Sequence, residues 1–335
     1  MRTRLLLLTA VGFVVIGPTP VHPQEPKTGN VSKLIADHDR ALIRDLKQYL
    51  LENPGAPDRD QAYAALFNKA IEHDWFSENE QIARSYLSDT PEGPVRALAQ
   101  IIRIMAQAEA GHTDLAFANF EELMRDLEGS DQEEFALSFT ESFASRVMTA
   151  GEFGMAKKIY RVLQQRFPES LTIRERCSQE LVRLELVGQP APKLETLDLR
   201  GEPFRLGDLK GRYVLLDFWA TWCAPWVAEL PQLQELYQKY RDKGFEIVGV
   251  NIDDTREAAV DFTKTRKLPW IQVSHGSTPE ILDAYGVVAI PATYLITPDG
   301  RILAIDLRGE SLRLALDARM AGLEDHPQVP PQREP

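Results

Sequence analysis

Apolar residues along the first half of the chain recur three and four positions apart. The spacing is cleanest in "LIADHDRALIRDLKQYL" and "RALAQIIRIMAQAEAG", and it persists from about Ser32 to Leu186. That period puts the apolar side chains on one face of an α-helix, so the region is predicted to be helical throughout. Glycine and proline fall mostly between the periodic segments, where turns are expected. One pattern occurs twice, as "AGHTDLAFANF" at 110–120 and "AGEFGMAKKIY" at 150–160. Each copy has Ala-Gly, a short polar turn, an alanine, and an aromatic four residues further on. The small residues let two helices approach closely, and the aromatic fills the groove between them.

The helical period stops at "LVGQPAPKLETL" (186–197), where Gly188, Pro190 and Pro192 mark a domain junction. Beyond it, "YVLLDFWA" (213–220) and "FEIVGVNID" (245–253) are apolar, partly β-branched runs suited to buried strands. Between them, "VAELPQLQELYQKYRDKG" has helical spacing and ends at Gly244. A second helix is predicted over "TREAAVDFTKTRK". A hairpin turning at Asp299-Gly300 follows in "ATYLITPDGRILAID", and "SLRLALDARMAG" closes as a helix. Strand–helix–strand, then hairpin, then helix predicts a mixed α/β sheet covered on both faces. The expected organisation is a signal peptide or short anchor at 1–24, an all-helical domain at 25–187, an α/β domain at 188–322 and a Pro-rich disordered tail at 323–335.

The extreme N-terminus changes the expected compartment. "MRTRLLLLTAVGFVVIGPTP" has Arg2 and Arg4, an apolar core from Leu5 to Ile16, then Gly17 and Pro18, the layout of a secretory signal. Twelve helical residues rise about 18 Å, short of the roughly 30 Å hydrocarbon core. Export to the periplasm or another extracytoplasmic space is expected, with membrane attachment through residues 5–16 only if the segment stays uncleaved. A net charge of −12 with no run of basic residues excludes a nucleic-acid partner. The two cysteines, Cys177 and Cys223, cannot make a disulfide-rich scaffold. Histidines at 22, 38, 73, 112, 275 and 326 lack ligand spacing, so no metal site and no cofactor is expected.

Several signatures resemble a known family. "GQPAPKLETLDLRGEPFRLGDLKGRYVLLDFWATWC", "KGFEIVGVNID" and "GVVAIPATYLITPDGRI" occur in the order found in thioredoxin-fold proteins of the TlpA/ResA-like branch, exported thiol-disulfide oxidoreductases with a redoxin (AhpC/TSA-like) domain. The resemblance implies a thioredoxin-like fold over residues 190 to about 322. It also implies that Cys223 holds the first, nucleophilic position of the family's W-C-x-x-C motif. A helix N-terminus stabilises an anion through its free N–H groups and dipole, which suits a thiolate, the reactive form of cysteine. Pro225 fits the first turn, where its missing N–H is not needed. By the same resemblance, Asp217 and Glu229 are the acids behind the motif that move protons, and Ile290-Pro291 is the cis-proline step that offers backbone to an extended substrate. Trp222, Pro225 and Trp226 complete the expected substrate-binding set. The doubled Ala-Gly pattern and "RFPES" (166–170) resemble tetratricopeptide-type units, with an ordinary helical bundle as the alternative. Either form suits docking of a protein partner.

The departure is Trp226, which stands where the resolving cysteine belongs. In thiol-disulfide exchange the first sulfur forms a mixed disulfide and the second breaks it from within. Indole has an N–H donor and no such redox chemistry. Two-cysteine turnover is therefore excluded for residues 223–226, unless Cys177 reaches Cys223 by a fold-back that nothing in the sequence enforces. Two functions follow. One is thiol-disulfide exchange through Cys223 alone, with exported protein thiols or small thiols as partners. The other is a non-catalytic module that binds extended polypeptide. A one-cysteine peroxidase fits less well, because Thr221 lies two residues before Cys223 rather than three.

Overall fold

The computed structural model describes residues 31–129, 131–274 and 280–320. The expected signal segment and the expected tail lie outside the described residues. The chain divides into two compact units, with the division between Arg174 and Glu175. The sequence put the junction after residue 187, so part of the last helix before it belongs with the second unit.

The first unit is all helical: α1 (Val31–Glu52), α2 (Arg59–Glu72), α3 (Glu80–Asp89), α4 (Arg96–Glu109), α5 (Thr113–Leu127), α6 (Glu133–Thr149) and α7 (Phe153–Arg166). The doubled sequence pattern marks two helical hairpins, α4–α5 and α6–α7. In each the first helix ends on a left-handed glycine, Gly111 (φ +76°) or Gly151 (φ +83°). The next N–H reaches back to the last turn, from His112 to Gln107 O and from Glu152 to Val147 O, both at 2.9 Å. Only glycine adopts that backbone without strain. Ala116, Phe120, Ala156 and Tyr160, the small and aromatic positions of the pattern, are buried. Phe67, Tyr86, Phe120 and Phe143 anchor this unit's core.

The second unit takes α8 (Leu171–Glu185) from Glu175 onward, then β1 (Glu195–Leu197), β2 (Pro203–Arg205), β3 (Tyr213–Trp219), α9 (Ala224–Tyr240), β4 (Phe245–Asn251), α10 (Arg256–Arg266), β5 (Ile271–Ser274), α11 (Glu280–Tyr285), β6 (Ala292–Ile296), β7 (Ile302–Ile305) and α12 (Gly309–Met320). β1 and β2 pair as a separate ribbon, and the main sheet runs β5-β4-β3-β6-β7. β3, β4 and β5 are parallel, while β6 and β7 are antiparallel to their neighbours. This is a thioredoxin-like sheet. The central strands β3 and β4 are buried almost end to end, which accounts for their near-continuous apolar runs. The short β5 and α11 were not anticipated, since four and six residues carry too little periodicity to register.

The junction segment is not a free linker. Gly188 N–H bonds Ile302 O at 2.8 Å, Ile302 N–H bonds Gln189 O at 2.9 Å, and Ala191 N–H bonds Gly300 O at 2.9 Å. The prolines break the helix as expected, but the extended chain they leave lies along the β7 edge and satisfies its backbone groups.

Candidate active site

Cys223 is the N-cap residue of α9, the helix that leaves the C-terminal end of β3. Its N–H bonds Ala220 O at 3.1 Å, and its carbonyl receives Val227 N–H at 3.0 Å. The loop ahead of it is pinned from β4. Asp253 accepts from Thr221 N–H at 3.0 Å and from Thr221 Oγ1 at 2.8 Å, and Asn251 Nδ2 holds the same carboxylate at 2.6 Å. Pro225 sits in the first turn, as expected. Trp222 is 67% exposed and Cys223 only 4%.

Trp226 is the correction. Expected among the substrate-binding residues, it is fully buried and presents no surface to a substrate. Its ring stacks on Trp219 with centroids 4.2 Å apart and planes 12° from parallel, with Phe262 of α10 at 6.2 Å. Its Nε1–H donates to Asp217 Oδ2 at 2.6 Å. Strand alternation explains the meeting: Asp217 and Trp219, two apart on β3, share the face toward α9. Phe218 points the other way, onto Tyr285 and Tyr294.

Asp217 is completely buried, and its Oδ1 has no hydrogen-bond partner. Burial pushes its carboxyl up to about 7, against the Trp226 hydrogen bond and the charge of Arg308, which favour the ionised form, and with help from Glu229. Glu229, on the second turn of α9, is also raised by burial and opposed by Arg308, whose Nη1 stands 3.5 Å from Glu229 Oε1. Arg308 was missed in the sequence. The available signal was a charged residue directly ahead of Gly309 and the last helix, but only the packing of α12 beside α9 shows what it faces.

The Ile290–Pro291 bond is cis. Phe218 pairs with Ala292, so Pro291 follows the register to the end of β3 from which the Cys223 loop departs. Cys177 lies on α8; both cysteines are buried, and no disulfide joins Cys177 to Cys223. Away from this site, Asp39, Glu72 and His73 bring ligand atoms within 4.8 Å of one another. Lys69 already sits among them, 3.1 Å from Asp39 and 2.8 Å from Glu72, so the cluster is closed by its own cation.

Residues 187–305 match the AhpC/TSA family. Over 132 residues the chain is 37% identical to the thiol-disulfide oxidoreductase ResA of Bacillus thuringiensis subsp. konkukian, an alignment that covers 39% of this chain and 75% of that protein. The chain belongs to the TlpA/ResA-like family. ResA of Bacillus subtilis is 36% identical over 118 residues, covering 35% of this chain and 65% of its own length. Among solved structures, the thioredoxin domain of a thiol-disulfide oxidoreductase from Bacteroides vulgatus is 34% identical, with a TM-score of 0.38, covering 40% of this chain and 97% of that one. Within this TlpA/ResA-like chain the matched region begins at residue 187, after α8.

Proposed function

We propose that the protein carries out thiol-disulfide exchange through Cys223 alone, on protein disulfides outside the cytoplasm. The observation that carries this reading is the placement of Cys223 at the start of α9, with the resolving position filled by a Trp226 that is buried and bonded to Asp217. In the first step the Cys223 thiolate attacks one sulfur of a client disulfide. A Cys223–client disulfide forms, and the other client sulfur leaves as a thiolate that takes a proton from water. In the second step an external thiolate attacks the client sulfur, forms a new client disulfide and returns Cys223 as a thiolate. One disulfide is consumed and one produced, so the cycle exchanges partners without net oxidation. Trp226 cannot intercept the intermediate, which gives the mixed disulfide a long life. The apolar core from Leu5 to Ile16 supports export. The paired hairpins α4–α5 and α6–α7 support a docking role for the helical unit.

A second reading, polypeptide binding without chemistry, is favoured by the 4% exposure of Cys223 next to exposed Trp222, with Val288 of the segment leading to Pro291 also exposed. The test is mass spectrometry after incubation with a peptide disulfide. Exchange predicts a peptide adduct on Cys223 that a small thiol removes and that Cys223→Ser abolishes. An unmodified Cys223 with peptide binding intact in Cys223→Ser would sink the exchange reading and leave the binding one.

A further inference from the structure

The segment that carries cis-Pro291 is held at both ends by one side chain from outside the family-matched region. It leaves α11 at Gly286 and enters β6 at Ala292. At the start, Gly286 has φ +63°, and a Cβ there would lie 3.1 Å from Arg183 Cγ and 3.4 Å from Val182 Cγ1. α8 therefore rests directly on this glycine. At the other end, Arg183 Nε donates to Tyr294 Oη at 3.2 Å. Arg183 Nη2 pairs with Asp306 Oδ1 at 2.6 Å, and Asp306 N–H bonds Thr293 O at 2.8 Å. Tyr294 in turn donates its hydroxyl to Tyr285 O, the residue before Gly286. The third guanidinium nitrogen bonds Glu180 Oε2 at 3.1 Å, and Arg183 is itself buried.

A buried arginine is costly unless every nitrogen finds a partner, and its planar fork fixes those partners in direction as well as distance. Helix α8 does not need this arrangement to be a helix, because an uncharged helix former at this buried position would keep the backbone bonds. What the arrangement fixes is the span between Gly286 and Tyr294, and Pro291 lies inside that span.

We propose that Arg183 is a positioning residue for the cis-proline segment, and that it makes the site selective for disulfides in extended polypeptide over small disulfides. The inference rests on the exchange reading of Cys223. By the family resemblance, residues 290–291 offer backbone to an extended client while its sulfur meets Cys223, so a shift of the segment misaligns the two. A small disulfide makes no backbone contact and is indifferent to that shift.

The test uses the full chain and two probes: a nonapeptide whose cysteine is linked to thionitrobenzoate, and the symmetric nitrobenzoate disulfide. Adducts at Cys223 are assigned by peptide mass mapping. Arg183→Met is expected to slow reaction with the peptide about tenfold or more while leaving the small disulfide within about twofold. Arg183→Lys, which keeps a cation near Asp306 but loses the fork, falls between wild type and Arg183→Met. Tyr294→Phe keeps a well-packed ring and removes the two bonds of its hydroxyl, from Arg183 Nε and to Tyr285 O, so it serves if Arg183→Met fails to fold, and it shifts the peptide rate in the same direction. Equal slowing of both probes, or no change in either, overturns the proposal. Hydrogen exchange at residues 287–292 provides an arm independent of chemistry, with protection falling about fivefold in Arg183→Met. If wild-type Cys223 reacts with neither probe, the exchange reading fails. The positioning of the segment is then judged by hydrogen exchange alone, and unchanged protection overturns it.

Discussion

At Trp226 the indole does two jobs that a cysteine there could not. It completes a three-ring cluster with Trp219 and Phe262, and it gives the buried Asp217 its one hydrogen bond. Trp226→Phe keeps a ring but strips the carboxyl of that bond. A cost of about 2–3 kcal/mol is expected, measured by urea unfolding at neutral pH. The Asp217 carboxyl should also move further up from about 7, because the lost bond favoured its ionised form. The raised carboxyl has a signature in pH. The folded protein holds the Asp217 proton up to about 7, while the unfolded chain releases it near the ordinary value of 3.8. This contribution to stability is therefore full at low pH and declines as pH rises between those values, by about 1.3 kcal/mol per pH unit at its steepest. Asp217→Asn should remove that decline, leaving a flatter stability profile between pH 4 and 7 and a relative gain at pH 8. An unchanged slope would mean that Asp217 is not the group responsible.

At the scale of elements, the contact between β4 and the Trp219–Trp226 stack depends on a missing side chain. Gly249 pairs with Asp217 across the β3–β4 ladder. A Cβ there would stand 2.2 Å from Gln272 Oε1 and 2.8 Å from Trp219 Nε1. Those two atoms are bonded to each other at 2.9 Å, so neither can move without breaking that bond. Gly249→Ala is expected to destabilise by about 1–3 kcal/mol through overpacking. Tryptophan fluorescence should change in the same variant, because the substitution presses on Trp219. A destabilised variant with unchanged emission would locate the strain elsewhere.

At the scale of the molecule, the compact division at Arg174/Glu175 cuts within α8 rather than at the proline-rich junction. A redox unit starting at Gly188 lacks Arg183 and leaves Asp306 and Tyr294 without it. A unit starting at Glu175 retains the whole cluster. The shorter fragment is expected to melt lower than the longer one, by roughly 5 °C for each 1 kcal/mol lost. Equal melting temperatures would place the functional boundary after α8.

Sequence alone was enough to assign the helical first half, the doubled hairpin, the strands β3, β4, β6 and β7, and the placement of Cys223 at a helix start. Each is written in local terms: periods of 3.6 or near-continuous apolar runs, glycines at left-handed turns, and a short motif between a strand and a helix. It also named Asp217, Glu229 and Pro291 through family resemblance. What it could not supply was the environment of those residues. Trp226 reads as a large aromatic beside a thiol, and only the alternation of β3 against α9 turns it inward onto Asp217. Arg308 meets Glu229 across seventy-nine positions of chain, and Arg183 meets Asp306 across 123. Neither pairing leaves a local period or spacing. Burial and partnership are properties of the packed fold, so tertiary structure decided which polar residues form a site and which helix braces it.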